Sequence, residues 1–195
     1  MPIFIMLIGI PGSGKSTLAE TLAKKYNAVL ISTDQLRFQY TGSEENRTKD
    51  SCVFATVHQQ IKTLLNEEQN VIYDATNLSL RDRKKILSLL PESTTKKCYF
   101  KSVSLSAALT RNMKRKRVVP EQVIAKMYHQ IQPPTLDEGW DEIKLSMIES
   151  KLSIKNPLNI GTQQQRDKWG ALVHAVDLDH TELAVRIKTA KGNIS

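Results

Sequence analysis

The sequence has little cysteine and no long apolar run, and each of these absences excludes a class of protein. Its two cysteines, Cys52 and Cys98, lie far apart and have the spacing of neither a metal site nor a redox pair, so we expect reduced thiols in a cytoplasmic protein. The apolar run 3–8 ends at Gly9, which makes it too short to span a bilayer, and it lacks the charged start and the cleavage site of a signal peptide. We therefore expect no membrane partner.

Internal repeats and low-complexity tracts are also absent, and the composition is that of a folded domain. A chain of 195 residues, of which 40% are apolar and 25% charged, can bury one large core but hardly two full-sized domains. Acidic residues are scarce relative to basic ones, 20 against 28, which gives a formal net charge of +8. This excess suggests an anionic partner, most simply a nucleic acid.

One stretch carries a specific motif. The sequence Gly9-Ile10-Pro11-Gly12-Ser13-Gly14-Lys15-Ser16-Thr17 follows the apolar run and matches the phosphate-binding loop, which consists of a glycine, four residues, Gly-Lys and Ser or Thr. Glycines allow backbone N–H groups to turn toward phosphate oxygens, and the following helix directs its positive end at the anion. The sequence therefore predicts binding of a nucleoside triphosphate by Gly9, Pro11, Gly12, Ser13, Gly14, Lys15, Ser16 and Thr17, with Ser16 offering a hydroxyl to Mg²⁺.

Short apolar runs alternate with helical patterns as far as about residue 150. This alternation predicts an α/β fold with a mostly parallel, doubly wound sheet. Beyond residue 150 the pattern weakens, so we predict a main domain over residues 1–150 and a small C-terminal tail over 151–195. The predicted strands are 3–8, 28–31, 71–73, 98–103 and 143–147. Five helices are predicted: one after the phosphate loop, one over 53–65, one that begins at Ser79, one that includes 105–109 and one that begins at Pro120. Residues 39–46 are predicted as a loop.

Two aspartates follow predicted strands. Asp34 comes after the second strand and Asp74 directly after the third, and the carboxyl ends of parallel strands line the ligand crevice. We interpret Asp34 as the candidate general base for an attacking hydroxyl, with a magnesium-shell or helix-capping aspartate as the alternative. Asp74 is either a water-mediated magnesium ligand or a residue of the acceptor site. Ala75 stands where many ATPases have the glutamate that activates water, which favours a transferase.

Basic residues supply two further candidates. Arg37 could grip an acceptor phosphate through two guanidinium nitrogens, or it could simply pair with Asp34. Residues 111–117 contain five basic side chains and precede Pro120, at the position of a mobile lid, with a solvated charged face as the alternative. In a lid, Arg111 or Arg115 could close on the γ-phosphate.

Taken together, these motifs resemble the P-loop polynucleotide 5′-hydroxyl kinases, represented by the kinase domain of the bacteriophage end-healing enzyme. The match covers residues 1 to about 150, in order and at compatible spacing. Its four parts are 9–17, Thr33-Asp34-Gln35-Leu36-Arg37, Asp74-Ala75-Thr76-Asn77-Leu78, and Arg111-Asn112-Met113-Lys114-Arg115 leading to Val119-Pro120.

The resemblance implies a P-loop kinase with a helical lid, ATP as donor, Mg²⁺ as cofactor and the 5′-hydroxyl end of a nucleic acid as acceptor. It implies that Lys15 and Ser16 serve the triphosphate and its magnesium, and that Asp34 is the base. Arg37 would position the acceptor phosphate, and Arg115 would be the lid arginine on the donor phosphates. By the same resemblance Arg111 would contact the nucleotide, and Asp74, Thr76 and Asn77 would shape the acceptor site.

The end-healing enzymes also carry a phosphatase domain of the haloacid dehalogenase type. The tail sequence Asp177-Leu178-Asp179-His180-Thr181 resembles the nucleophile motif of that domain, but only fourteen residues follow it, so we interpret Asp177 and Asp179 as a chance match or a remnant. We assign no metal role to His174 or His180. Two alternatives to a polynucleotide kinase stay open: a P-loop kinase acting on a small molecule or an aminoacyl-tRNA, and a nucleotide-dependent switch or ATPase.

Overall fold

A sheet forms the centre of the protein. The computed structural model describes residues 1–147 and 183–185. Its strands are β1 Ile3–Ile8, β2 Ala28–Ser32, β3 Asn70–Asp74, β4 Thr95–Ser102, β5 Glu142–Met147 and β6 Leu183–Val185. Its helices are α1 Lys15–Tyr26, α2 Thr33–Thr41, α3 Asp50–Asn66, α4 Leu80–Leu87, α5 Leu105–Asn112 and α6 Glu121–Gln130, with a short 3-10 helix over Leu136–Glu138.

The strand order confirms the predicted α/β fold. The sheet runs β2-β3-β1-β4-β5-β6, with the first five strands parallel and β6 antiparallel to β5. In this register Asp74 pairs with Leu7 on one side and with Ser32 on the other. The carboxyl ends of β1, β2 and β3 therefore meet at one edge of the sheet. The phosphate loop begins at this edge, and the two candidate aspartates lie there.

The core lies on both faces of the sheet because β1 alternates its side chains between them. Phe4, Met6 and Ile8 face one cluster, whereas Ile5 and Leu7 face the other. Helices α3 and α4 cover the first face and α1 covers the second. A smaller cluster packs α5 and α6 against the phosphate loop; its buried members are Ile10, Val103, Ala108 and Ile124. Among the described residues, no helix has the length and apolar character required to cross a membrane.

One predicted loop is partly wrong. Residues 39–41 were expected in a loop over 39–46, but they form the last turn of α2. The helix begins because the Ser32 side chain accepts a hydrogen bond from the Gln35 N–H, and it ends at Gly42, whose φ of 70° is left-handed. Asp34 therefore lies in the first turn of a helix.

One helix boundary differs from prediction by one residue. Pro120 was expected as the first helical residue but stands one position earlier, as the N-terminal cap of α6. Residues 183–185 of the predicted tail pair with β5, so this part of the tail extends the main sheet. Asp177 and Asp179, which we interpreted as a chance match or a remnant of a phosphatase motif, lie outside the described residues, as do His174 and His180.

A fully buried arginine joins α4 to the chain that follows α6. Arg83 Nε donates to Glu138 Oε2 at 2.7 Å, and its Nη2 pairs with the other oxygen of the same carboxylate. Its Nη1 donates to three carbonyl oxygens, those of Asn77, Leu78 and Gln132. Glu138 also accepts a hydrogen bond from the Trp140 indole at 3.0 Å. The buried charges are thus paired and hydrogen-bonded, as burial requires.

We expect Glu138→Gln to lower the free energy of unfolding by about 3 kcal/mol, because it leaves the buried guanidinium without its counter-charge. Urea unfolding measures this loss. The matched control is Glu121→Gln, which changes an exposed residue in the first turn of α6. A loss for Glu138→Gln no larger than that for Glu121→Gln would contradict the importance of this pair.

Candidate functional site

The phosphate loop connects β1 to α1 and lies against α5. Gly12 and Gly14 have φ angles of 80° and 85°, as the motif predicts. A Cβ on Gly12 would lie only 2.3 Å from the carbonyl oxygen of Ala108 in α5, so a side chain does not fit there. Sterics and positive φ together restrict this position to glycine.

Two polar groups of the loop are buried with few partners. Ser13 is buried, and its Oγ has no hydrogen-bond partner among residues 1–147 and 183–185. Lys15 Nζ donates to the carbonyl oxygen of Ile10 at 3.0 Å. Burial lowers the pKa of Lys15 to about 8, against the opposing effect of the Asp74 carboxylate. A buried hydroxyl and a buried ammonium are both stabilised when an anion binds beside them, so the loop fits a polyphosphate.

Ser16 and Asp74 place a hydroxyl beside a carboxylate. Ser16 lies in the first turn of α1, Asp74 is the last residue of β3, and both side chains line the crevice. Burial raises the pKa of Asp74, while Lys15 and the Ser16 hydrogen bond act in the opposite direction. Mg²⁺ prefers oxygen ligands and commonly takes one or two from the protein, with phosphate oxygens and water completing its shell. This pair therefore fits Mg²⁺ held together with a polyphosphate.

Asp34 lies across the crevice from Lys15, held by an arginine. Its Oδ1 accepts a hydrogen bond from Arg37 Nη1 at 2.8 Å, and Arg37 Nε donates to Asp50 Oδ1 at 2.7 Å. The Arg37 side chain is only 3% exposed, whereas that of Asp34 is 44% exposed. The sequence suggested that Arg37 could pair with Asp34, and the structure contains this ion pair. It is not an ordinary surface pair, because the arginine side chain is buried. Nothing in the sequence pattern identified Asp50.

The basic segment between α5 and α6 contributes two arginines to the same crevice. Arg115 lines the crevice near Lys15. Arg117 also lines it, and its Nη1 lies 3.0 Å from Asp34 Oδ2, a contact that the sequence did not indicate because five basic residues crowd this segment. Arg111 lies in the last turn of α5 and is not among the residues that line the crevice.

Thr76 and Asn77 fix the loop between β3 and α4 against β1. The N–H of Gly9 donates to the Thr76 carbonyl oxygen at 3.1 Å, and the Asn77 side chain donates to the Leu7 carbonyl oxygen at 2.7 Å. Asn77 is buried and has a φ of 49°. Both residues line the crevice, yet the Asn77 amide is engaged with the backbone.

The crevice is a cavity of about 650 Å³ that extends well past Asp34. Its far end is lined by basic and aromatic side chains on α3, on α4 and in the chain just before α3, including a half-exposed phenylalanine. This volume exceeds what the phosphate groups alone would fill, so a second molecule can enter beside them. The far-end residues are Arg47, Phe54, His58 and Lys85.

Comparison with known proteins gives one family and several relatives. The profile of a family described as an AAA domain matches residues 4–134. L-seryl-tRNA(Sec) kinase of Methanococcus maripaludis is 29% identical over 149 residues, which are 71% of this chain and 56% of that protein. The chain thus spans little more than half the length of this curated relative.

Solved structures share the fold. A chain of the Pnkp1/Rnl/Hen1 RNA repair complex is similar with a TM-score of 0.61 and 26% identity, over 66% of this chain and 43% of that one. A gluconokinase from Sinorhizobium meliloti 1021 gives a TM-score of 0.56 over 76% of this chain and 84% of its own, but at 18% identity this likeness concerns the fold alone.

We expect binding of a nucleoside triphosphate to depend on the protonation of Lys15. Because the pKa of Lys15 is about 8, its amine is mostly charged at about pH 7 and mostly neutral at about pH 9. Bound phosphates favour the charged form, so affinity should fall by up to about tenfold per pH unit above that pKa. Calorimetry of ATP binding at high pH, in buffers of different ionisation enthalpy, measures the accompanying proton uptake.

The Lys15→Arg variant is the matched control for this linkage, since a guanidinium stays charged across the range. Any binding by this variant should be nearly independent of pH. Proton uptake by the wild-type protein that is no greater than that of the variant would contradict the assignment to Lys15.

Proposed function

Because the chain belongs to the AAA-domain family and has the fold of P-loop kinases, we propose that it is a kinase transferring the γ-phosphate of ATP to the 5′-hydroxyl end of a polynucleotide, RNA or DNA. The observation that carries this proposal is the position of Asp34. Its carboxylate lies in one crevice with Lys15 and is oriented by Arg37. A donor loop facing an oriented carboxylate is what phosphoryl transfer to a hydroxyl requires.

On the donor side, the phosphate loop would bind the triphosphate. Its backbone N–H groups and the Ser13 hydroxyl would donate to phosphate oxygens, and Lys15 would place its ammonium between the β- and γ-phosphates. Ser16 and Asp74 would hold Mg²⁺, Asp74 either directly or through water. When bound, the metal ion neutralises charge on the β- and γ-phosphate oxygens.

On the acceptor side, Asp34 would accept the proton of the attacking hydroxyl. The hydroxyl oxygen forms its bond to the γ-phosphorus, the bond from that phosphorus to the bridging oxygen breaks, and ADP leaves. Arg37 would hold the Asp34 carboxylate in place and contact the phosphate adjoining the acceptor hydroxyl. Thr76 and Asn77 would shape the acceptor site through the backbone of their loop.

The segment between α5 and α6 would close over the donor. Arg115 is exposed and lines the crevice near Lys15, so its guanidinium needs little movement to reach the phosphates. A guanidinium there stabilises the charge that develops in the transition state. Arg111 would reach the nucleotide only after the end of α5 shifts toward the crevice.

Three observations support a nucleic acid as acceptor. The net charge of +8 suits a polyanion. The far end of the crevice combines Arg47 and Lys85 with the exposed ring of Phe54, which offers charge for a phosphate and a face on which a base can stack. Finally, two of the similar proteins are an RNA repair complex and a kinase of seryl-tRNA(Sec).

An aminoacyl-tRNA is the second candidate acceptor. It is favoured by the similarity of this chain to L-seryl-tRNA(Sec) kinase over 149 residues. The seryl hydroxyl is an alcohol like the 5′-hydroxyl, so the same base and the same donor loop would serve it. The two acceptors differ in what the far end of the crevice must bind.

We expect Asp34→Asn to slow phosphate transfer by a factor of about 100 or more, because the amide cannot accept the hydroxyl proton. Transfer of labelled γ-phosphate to an oligonucleotide with a 5′-hydroxyl measures the rate. Asp137→Asn is the matched control, since Asp137 is exposed and lies on the 3-10 helix. Full transfer by Asp34→Asn would rule out this residue as the base.

An acceptor panel tests the substrate class. We expect labelled phosphate to appear on RNA or DNA oligonucleotides with a 5′-hydroxyl, and the apparent acceptor affinity to fall steeply with salt because phosphate contacts release counterions. Seryl-tRNA, gluconate and a reaction without acceptor complete the panel. Labelling of seryl-tRNA alone would support the second candidate, and a salt-independent acceptor affinity would argue for a compact acceptor.

A further inference from the structure

Both oxygens of the Asp34 carboxylate are already occupied by guanidinium groups. Arg37 Nη1 lies 2.8 Å from Oδ1, and Arg117 Nη1 lies 3.0 Å from Oδ2. The two arginines approach from different directions, Arg37 from the same helix and Arg117 from the segment between α5 and α6. Each carboxylate oxygen keeps a second lone pair, so a hydroxyl that approaches Oδ2 competes with Arg117 for that oxygen and is favoured when Arg117 withdraws.

Arg37 is fixed in place. Its side chain is 3% exposed, and its Nε is held by Asp50 at 2.7 Å while Nη1 holds Asp34. Withdrawing it would leave a buried guanidinium without either of its carboxylate partners, which is costly. The oxygen that it contacts therefore stays occupied when substrate binds.

Arg117, in contrast, can leave Asp34 and keep its charge neutralised. Its Nη1 also lies 3.1 Å from Glu44 Oε2, in the chain between α2 and α3, and its Nε lies 3.8 Å from Glu45 Oε1. The Nε hydrogen has no hydrogen-bond partner among residues 1–147 and 183–185, so the present arrangement does not satisfy the guanidinium fully. A small shift toward the two glutamates would free Asp34 Oδ2 at low cost.

We propose that Arg117 is a positioning residue that occupies Asp34 until an acceptor displaces it, and thereby keeps Asp34 from activating water. This inference rests on the proposed role of Asp34 as the base. In the reaction that Arg117 would suppress, Asp34 takes a proton from water, the water oxygen bonds to the γ-phosphorus of ATP, and the bond to the bridging oxygen breaks to release ADP. Arg117 thus makes hydrolysis depend on whether the acceptor site is filled.

The test is the Arg117→Gln variant, measured for both ATP hydrolysis without acceptor and phosphate transfer. Loss of one partly exposed ion pair corresponds to about a fivefold change in an equilibrium, so we expect hydrolysis to rise about fivefold. The acceptor KM should fall by a similar factor, because acceptor no longer competes with Arg117, while kcat for transfer changes little. Arg117→Lys keeps a charge at this position and should restore much of the suppression.

Two controls separate this effect from a general one. Arg81→Gln makes the same chemical change at an exposed position of α4 outside the crevice, and it should leave both rates unchanged. The double variant Asp34→Asn with Arg117→Gln should hydrolyse ATP no faster than Asp34→Asn alone. Thermal unfolding of each variant establishes that the fold is intact.

Three outcomes would overturn the proposal: unchanged hydrolysis in Arg117→Gln, an equal rise when Asp34 is already Asn, or an increase in the acceptor KM. The last outcome would mean that Arg117 binds the acceptor. A wrong proposed function is distinguished from a wrong role for Arg117, because the proposed function is tested by phosphate transfer from ATP to 5′-hydroxyl ends with the wild-type protein. The ratio of hydrolysis rates tests Arg117 whether or not that transfer occurs.

Discussion

The hydrogen bonds and the ion pair of the buried Arg83 guanidinium hold the side of the crevice that follows β3, and the proposed acceptor site depends on them. A fully buried charge must be paired and hydrogen-bonded. Arg83 forms an ion pair with Glu138 and donates hydrogen bonds to the carbonyl oxygens of Asn77, Leu78 and Gln132. These partners come from the loop after β3 and from the chain after α6. The loop after β3, which we propose shapes the acceptor site, and the chain that follows α6 are therefore joined at one side chain.

The parts of the fold that follow from local periodicity could be predicted from the sequence. The sequence signals of these parts come from residues that are close together in the chain. They include the apolar runs of the parallel strands, the apolar stripe of α3 and the pair Ser79 and Asp82 at the start of α4. Helix α2 was not predicted because its apolar stripe is short, although Ser32 and Gly42 are recognisable end signals. The phosphate loop, Asp34 and Asp74 meet as expected because parallel strands end at one edge of the sheet.

The roles of individual charged residues could not be predicted in the same way. Arg83 stands at an apolar position of α4, which is a signal of a buried pair, but its partner Glu138 is 55 residues away. Arg117 is one of five basic residues in a short segment, and only the folded chain distinguishes it from its neighbours by bringing Asp34 and Glu44 to it. Long-range electrostatic partners depend on topology, whereas helices and strands depend mainly on pattern.

The close approach of Gly12 to Ala108 has a consequence for how the two substrates would bind. Because α5 packs against the phosphate loop, the loop is held in one shape before any ligand arrives, and binding of the donor would cost little conformational entropy. The acceptor side is different, since Arg117 contacts Asp34 there and would compete with an incoming hydroxyl. The acceptor site would then be the part of the crevice that discriminates between substrates. The donor site would be preorganised and comparatively unselective.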